Sequence, residues 1–193
     1  MTERVTRSEP APATDPDAES VVDVTDLGLA YDDLTVLDGV SFDLAPGTVA
    51  CVVGPNGSGK STLLRLLGGL LDPTRGSVTV RAAGDRPIGY LAQTPSFRPQ
   101  FTVAETVDFY GSLVEGRTDV GATLDRVGLT PVANRRVDAL SGGMVRLLGL
   151  ALTTVGDPPV LLLDEPTSGL DPMMTAHITA VIEEVAGTGD AVV

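Results

Sequence analysis

The sequence predicts an α/β domain with a largely parallel sheet and flanking helices, and three observations carry that reading. Short strand-like runs alternate with stretches of helical periodicity along most of the chain. The apolar run TVACVVG (48–54) leads into a glycine-rich turn and then a leucine-periodic helix. A second run, VLLLDEP (160–166), is apolar throughout and ends in two carboxylates.

The elements are read in chain order. Residues 1–20, rich in Pro, Asp, Glu and Ala without apolar periodicity, read as a disordered tail. VVDVTDLGLAY (21–31) alternates as a strand does, and VSFDL (40–44) and TVACVVG (48–54) follow as further strands, with Pro46-Gly47 turning between them. Cys51 falls inside the last of these and reads as buried. A helix is expected from Gly59 to about Gly68, with Leu63, Leu64, Leu66, Leu67 and Leu70 packing one face on the sheet. SVTVR (77–81) and IGYLAQ (88–93) read as strands separated by a Gly-Asp turn. From about 97 to 157 the pattern is helical, VLLL is a buried strand, and an amphipathic helix covers about 172–186. The chain then closes on GDAVV, which reads as the opening of one more strand.

Composition narrows the function classes. Acidic residues outnumber basic ones 26 to 13, a formal charge of −13. A sequence-independent grip on nucleic acid needs the opposite balance. The acidic excess suits a solvated, self-repelling surface. One cysteine excludes an intrachain disulfide and points to a reducing, cytoplasmic setting. No apolar run approaches the roughly 18 residues that span a bilayer, so any work at a membrane goes through a partner.

GPNGSGKS (54–61) matches G-x-x-x-x-G-K-[ST], with a strand before it and a helix after it. Gly54, Gly57 and Gly59 allow backbone conformations that a β-carbon opposes. Gly54, Pro55, Asn56, Gly57, Ser58 and Gly59 form the loop, and its N–H groups (proline has none) can converge on phosphate oxygens at the positive end of a helix. Lys60 is the only lysine among 13 basic residues. Its compact ammonium fits a tight loop where the planar arginine fork does not. It is placed for the β- and γ-phosphates, Ser61 for Mg²⁺, and Thr62 for support of the loop.

Asp164 at a strand tip beside such a loop suits Mg²⁺, often through water. Glu165 next to it is placed to polarise an attacking water as general base. An Asp-Glu pair after a strand also serves as a helix cap, and the phosphate loop upstream is what favours the catalytic alternative.

LSGGMVR (140–146), taken with the phosphate loop, Gln93 and SGLD (168–171), resembles the nucleotide-binding subunits of ABC transporters over about residues 21–193. The resemblance implies a P-loop NTPase-type sheet with an N-terminal antiparallel β part and an inserted helical subdomain at about 97–157. It implies an ATPase that uses ATP and Mg²⁺ and powers a partner membrane permease from the cytoplasmic face. By that likeness Tyr31 stacks on adenine, although an ordinary strand aromatic is the alternative. Gln93 touches Mg²⁺ and the attacking water. Ser141, Gly142 and Gly143 cap the γ-phosphate held by a second ATP-binding subunit in a head-to-tail dimer, and Asp171 links the two sites.

The sequence also departs from the family pattern. Met144 stands where glutamine is usual, which leans towards export-type partners, and Leu147 stands where arginine is common. Both changes are expected to alter dimer contacts more than phosphate contacts. The family's histidine beyond the Asp-Glu strand has no counterpart, because the one histidine, His177, lies on the following helix and reads as a surface residue. The expectation is therefore a chain that ends inside a core element. The alternative function is an ATP-binding fragment with little or no turnover. A soluble ABC-type ATPase acting on DNA or ribosomes would need coiled coils, two cassettes or basic patches that the sequence lacks.

Overall fold

A computed structural model of the chain describes residues 20–32, 34–81, 86–187 and 191–193. The elements run β1 (Val22–Tyr31), β2 (Leu34–Leu44), α1 (Lys60–Leu67), β3 (Arg75–Val80), β4 (Ile88–Leu91), α2 (Val103–Gly111), α3 (Val120–Arg126), α4 (Gly142–Thr153), β5 (Val160–Leu163), α5 (Pro172–Gly187) and β6 (Ala191–Val192). Two short 3₁₀ turns, Thr130–Val132 and Val137–Ala139, lie between α3 and α4. The expected tail at 1–19 and the Gly-Asp turn at 84–85 lie outside the described residues.

The strands form two sheets. One is antiparallel, in the order β2-β1-β3, and the other is parallel, in the order β4-β5-β6. Their division of the core follows from β5. All four of its residues are buried, so both faces of the strand are covered. Side chains alternate across a strand. Val160 and Leu162 therefore join the α1 leucines and the β1 residues Val22, Val24, Leu27 and Leu29 on one side. Leu161 and Leu163 join α4, α5 and the helices before them on the other. Helix α4 comes close to the parallel sheet because Gly149 carries no side chain: a Cβ there would lie 2.6 Å from Leu91 Cδ1. Arg86 fastens the far end of α4 by donating to the Leu152 and Val155 carbonyls. Burial lowers the pKa of its guanidinium from the ordinary arginine value.

Three expectations are corrected. The segment 48–54 is extended but is not a full strand: its one bridge joins Val49 to Val192, with Ala50 N donating to Val192 O. Because it is covered on one side only, Val49, Cys51 and Val53 face outwards, and Cys51 is exposed rather than buried. Leu70 is also exposed. Helix α1 stops at Leu67, and Gly69 at φ 64° turns the chain before Leu70 can return to the buried face. Leu63, Leu64, Leu66 and Leu67 are buried as expected. Finally, Leu147 is buried in the α4 core, so its side chain packs internally instead of meeting a second subunit.

Candidate functional site

The loop from Gly54 to Gly59 leads straight into α1. Gly57 at φ 81° and Gly59 at φ 93° occupy the left-handed region that disfavours side chains. At Gly54 a Cβ would lie 2.7 Å from Ser58 Oγ, so a side chain there would make the serine hydroxyl turn away. Lys60 Nζ donates to the carbonyls of Gly54 and Pro55, both at 2.9 Å, which draws the ammonium over the loop. Asn56 and Ser58 lie on the exposed rim, and Thr62 begins the half-buried side of α1.

Packing of α1 against Leu162 brings the start of that helix to the tip of β5. Ser61 Oγ donates to Asp164 Oδ1 at 2.9 Å. Asp164 is 2% exposed, and its own N–H donates to the Leu91 carbonyl, extending the β4–β5 ladder by one step. The adjacent Tyr90 phenol is raised above its ordinary pKa, mainly by burial; Arg65 opposes the shift and the Asp164 charge adds to it.

The parallel register explains the next contact. Leu91 lies opposite Leu163, so Gln93 and Glu165 each stand two residues beyond a paired position. Gln93 Nε2 donates to Glu165 Oε2 at 2.9 Å. Glu165 itself has φ 49°, a left-handed conformation costing a non-glycine residue about 1–2 kcal/mol. Its carbonyl accepts from the Ser168 amide at 3.2 Å and from Arg146 Nη1 at 2.7 Å. Sequence reading singled out no role for Arg146. The signal was its place inside LSGGMVR, five residues after Ser141.

Ser141 is the N-cap of α4, its Oγ accepting from Met144 N at 3.3 Å. Ser141 and Gly142 are exposed, while Gly143 is buried against Met174, where a Cβ would lie 3.0 Å from Cγ. Asp171 Oδ1 accepts from Met174 N at 2.9 Å and so fixes the first turn of α5. Among the described residues no hydrogen bond or ion pair joins 141–143 to 54–62. Tyr31 ends β1 opposite Leu34 and is 54% exposed. His177 is exposed on α5, with Nε2 3.2 Å from the Val127 carbonyl.

The residues fit a nucleotide phosphate with a hard cation. Gly57 and Gly59 hold the left-handed turns of the loop, and Ser61 with Asp164 offers the hydroxyl and carboxylate oxygens that Mg²⁺ prefers.

A glycine loop between an apolar segment and a helix, facing a strand that ends in Asp164, defines an α/β domain of the P-loop type. Comparison narrows the class. The family model for the ABC transporter domain matches residues 37–168, and the chain belongs to the ATP-binding subunits of that family. It is 40% identical over 168 residues to the cytochrome c biogenesis ATP-binding export protein CcmA of Roseobacter denitrificans, covering 87% of this chain and 80% of that protein. It is 37% identical over 183 residues to the aliphatic sulfonates import ATP-binding protein SsuB 2 of Burkholderia cenocepacia, covering 91% and 68%. Among solved structures it is similar to CbiO1 of Clostridium perfringens, part of the ABC transporter complex cbiONQ, with a TM-score of 0.78 and 27% identity over 90% of this chain and 76% of that one. A nucleotide-free ATP-binding cassette at 23% identity shares the fold, also with a TM-score of 0.78.

Proposed function

We propose that this chain binds MgATP and hydrolyses it to drive a partner membrane permease, working as a head-to-tail pair with a second ATP-binding subunit. The observation that carries the reading is the arrangement at the tip of β5. Asp164 is bonded to Ser61 of the phosphate-loop helix while its neighbour Glu165 is bonded to Gln93.

The residues divide the work as follows. Backbone N–H groups between Gly54 and Ser61, with Lys60 Nζ, hold the β- and γ-phosphates of ATP. Ser61, Asp164 and Gln93 would hold Mg²⁺. When bound, the cation neutralises charge on the phosphate oxygens. Glu165 accepts the proton of the attacking water, and Gln93 orients that water. Tyr31 offers an exposed ring for adenine at the end of β1. Ser141 and Gly142, exposed at the start of α4, with Gly143 behind them, contact the γ-phosphate held by the second subunit, and Asp171 joins the two sites. Residues 21–193 form one ATP-binding domain in which about 97–157 is an inserted helical subdomain.

The relatives named for export and import both power transport, and Met144 in the signature favours an export-type partner. No helix among the described residues is long and apolar enough to cross a membrane; attachment at the cytoplasmic face through the permease is part of the proposal. The acidic balance supports no role for nucleic acid.

Glu165→Gln tests the reading. Nucleotide binding should persist while steady-state phosphate release falls by roughly 10²–10⁴-fold, the usual worth of a general base. Undiminished phosphate release would overturn the assignment of Glu165.

A further inference from the structure

Glu165 is held by groups from three elements. Gln93, just past β4, takes its carboxylate; Ser168, in its own turn, takes its carbonyl; and Arg146, on α4, donates to that same carbonyl at 2.7 Å. A glutamate at φ 49° does not stay in the left-handed region on its own account, so the surroundings must hold it there. Among the described residues, Arg146 is the one side chain that bonds the Glu165 backbone. Arg146 also lies in the first turns of the helix that Ser141 caps.

We propose that Arg146 is the positioning residue for Glu165. It fixes the backbone turn that aims the carboxylate at Gln93, and it ties that aim to the placement of α4. The signature turn and the base of one chain then cannot shift independently, so a displacement of Ser141–Gly143 on engaging a second subunit reaches Glu165 of the same chain through one guanidinium. The inference rests on the reading of Glu165 as the base.

The test uses the full chain and its Arg146→Met and Arg146→Lys variants. Methionine keeps the apolar stem and removes the donors; lysine returns one donor. Amide exchange at Ser168, which shares the Glu165 carbonyl, should quicken at least about five-fold in Arg146→Met and stay unchanged across residues 63–67 of α1. Phosphate release should show kcat lower by about 10- to 100-fold, with KM for MgATP held within about two-fold. Arg146→Lys should recover most of the exchange protection and part of kcat. Where Glu165 is already glutamine, Arg146→Met should cause no further loss of turnover, as expected of residues acting in series.

Unaltered exchange at Ser168, a KM rising in step with the loss of kcat, or an additive loss in the Glu165→Gln background would each overturn the proposal. A failure of the underlying reading looks different. Glu165→Gln alone would then turn over normally, while Ser168 exchange would still report whether Arg146 holds the turn.

Discussion

Ser61 Oγ donates to Asp164 Oδ1 at 2.9 Å, joining the first turn of α1 to the tip of β5 across 103 residues of sequence. In the proposed function this hydroxyl and carboxylate would share one cation site. Asp164→Asn keeps an acceptor for Ser61 and removes the charge. Its melting temperature should stay close to that of the parent. Nucleotide affinity measured in EDTA should hold, and the gain on adding Mg²⁺ should shrink by about ten-fold, the worth of one charge-assisted contact of ~1.5 kcal/mol. Titration of a fluorescent nucleotide with and without Mg²⁺ reads this directly.

Lys60 lies over its own loop, bonded to the Gly54 and Pro55 carbonyls. Lys60→Ala should weaken ATP binding by about 10- to 100-fold, or 1.5–3 kcal/mol, as expected for loss of a hydrogen bond to a charged group. Lys60→Arg should not restore it, because the planar fork cannot enter the space the slender stem occupies. Calorimetry on both variants checks the pair. Tight binding by Lys60→Arg would show that charge alone is what the loop requires.

Two glycines of the loop separate conformation from crowding. Gly57 at φ 81° has no atom within 4 Å of an added Cβ, so Gly57→Ala should cost only the left-handed penalty of about 1–2 kcal/mol. At Gly59, φ 93°, the Cβ would lie 2.9 Å from Leu37 Cδ2 and 3.2 Å from the Val36 carbonyl. Gly59→Ala should therefore destabilise further, by about 1–3 kcal/mol beyond Gly57→Ala, the usual cost of overpacking. Denaturant midpoints at a common slope give the difference.

Helix α2 begins with a reciprocal cap, in which Glu105 N donates to Thr102 Oγ1 and Thr102 N donates to the Glu105 carboxylate. Thr102→Ala should cost about 1 kcal/mol at neutral pH. The Thr102 backbone N–H holds the Glu105 carboxyl below its usual pKa. A depressed carboxylate contributes stability above its unfolded-state pKa and loses it as pH falls through the folded-state value. Glu105→Gln removes the charge, so the stability gap between the parent and that variant should narrow in acid, and melting curves at neutral and acid pH will show it.

Much of the site was legible in the sequence because its chemistry is packed into consecutive residues. GPNGSGKS needs only its own backbone to form a cradle, and VLLLDEP places Asp164 and Glu165 at a strand end by local pattern alone. The misread residues are those whose burial depends on neighbours distant in sequence. Cys51 sits in a run as apolar as β5, yet β5 has cover on both faces and the segment around Cys51 has it on one. Leu70 fits the α1 periodicity, but the helix has ended three residues earlier. Leu147 occupies a position read as part of a contact surface, and the inward face of α4 takes it into the core.

By itself the sequence determined which residues could hold phosphate, which carboxylates stand at a strand tip, and which family the chain resembles, since all three are written in short contiguous motifs. The tertiary structure alone decided which of these residues meet: Ser61 with Asp164, Gln93 with Glu165, and Arg146 with the Glu165 carbonyl. The reason is register and packing. The alignment of Leu91 with Leu163 and the seating of α1 and α4 on opposite faces of β5 are set by the whole core at once, and no local pattern encodes them.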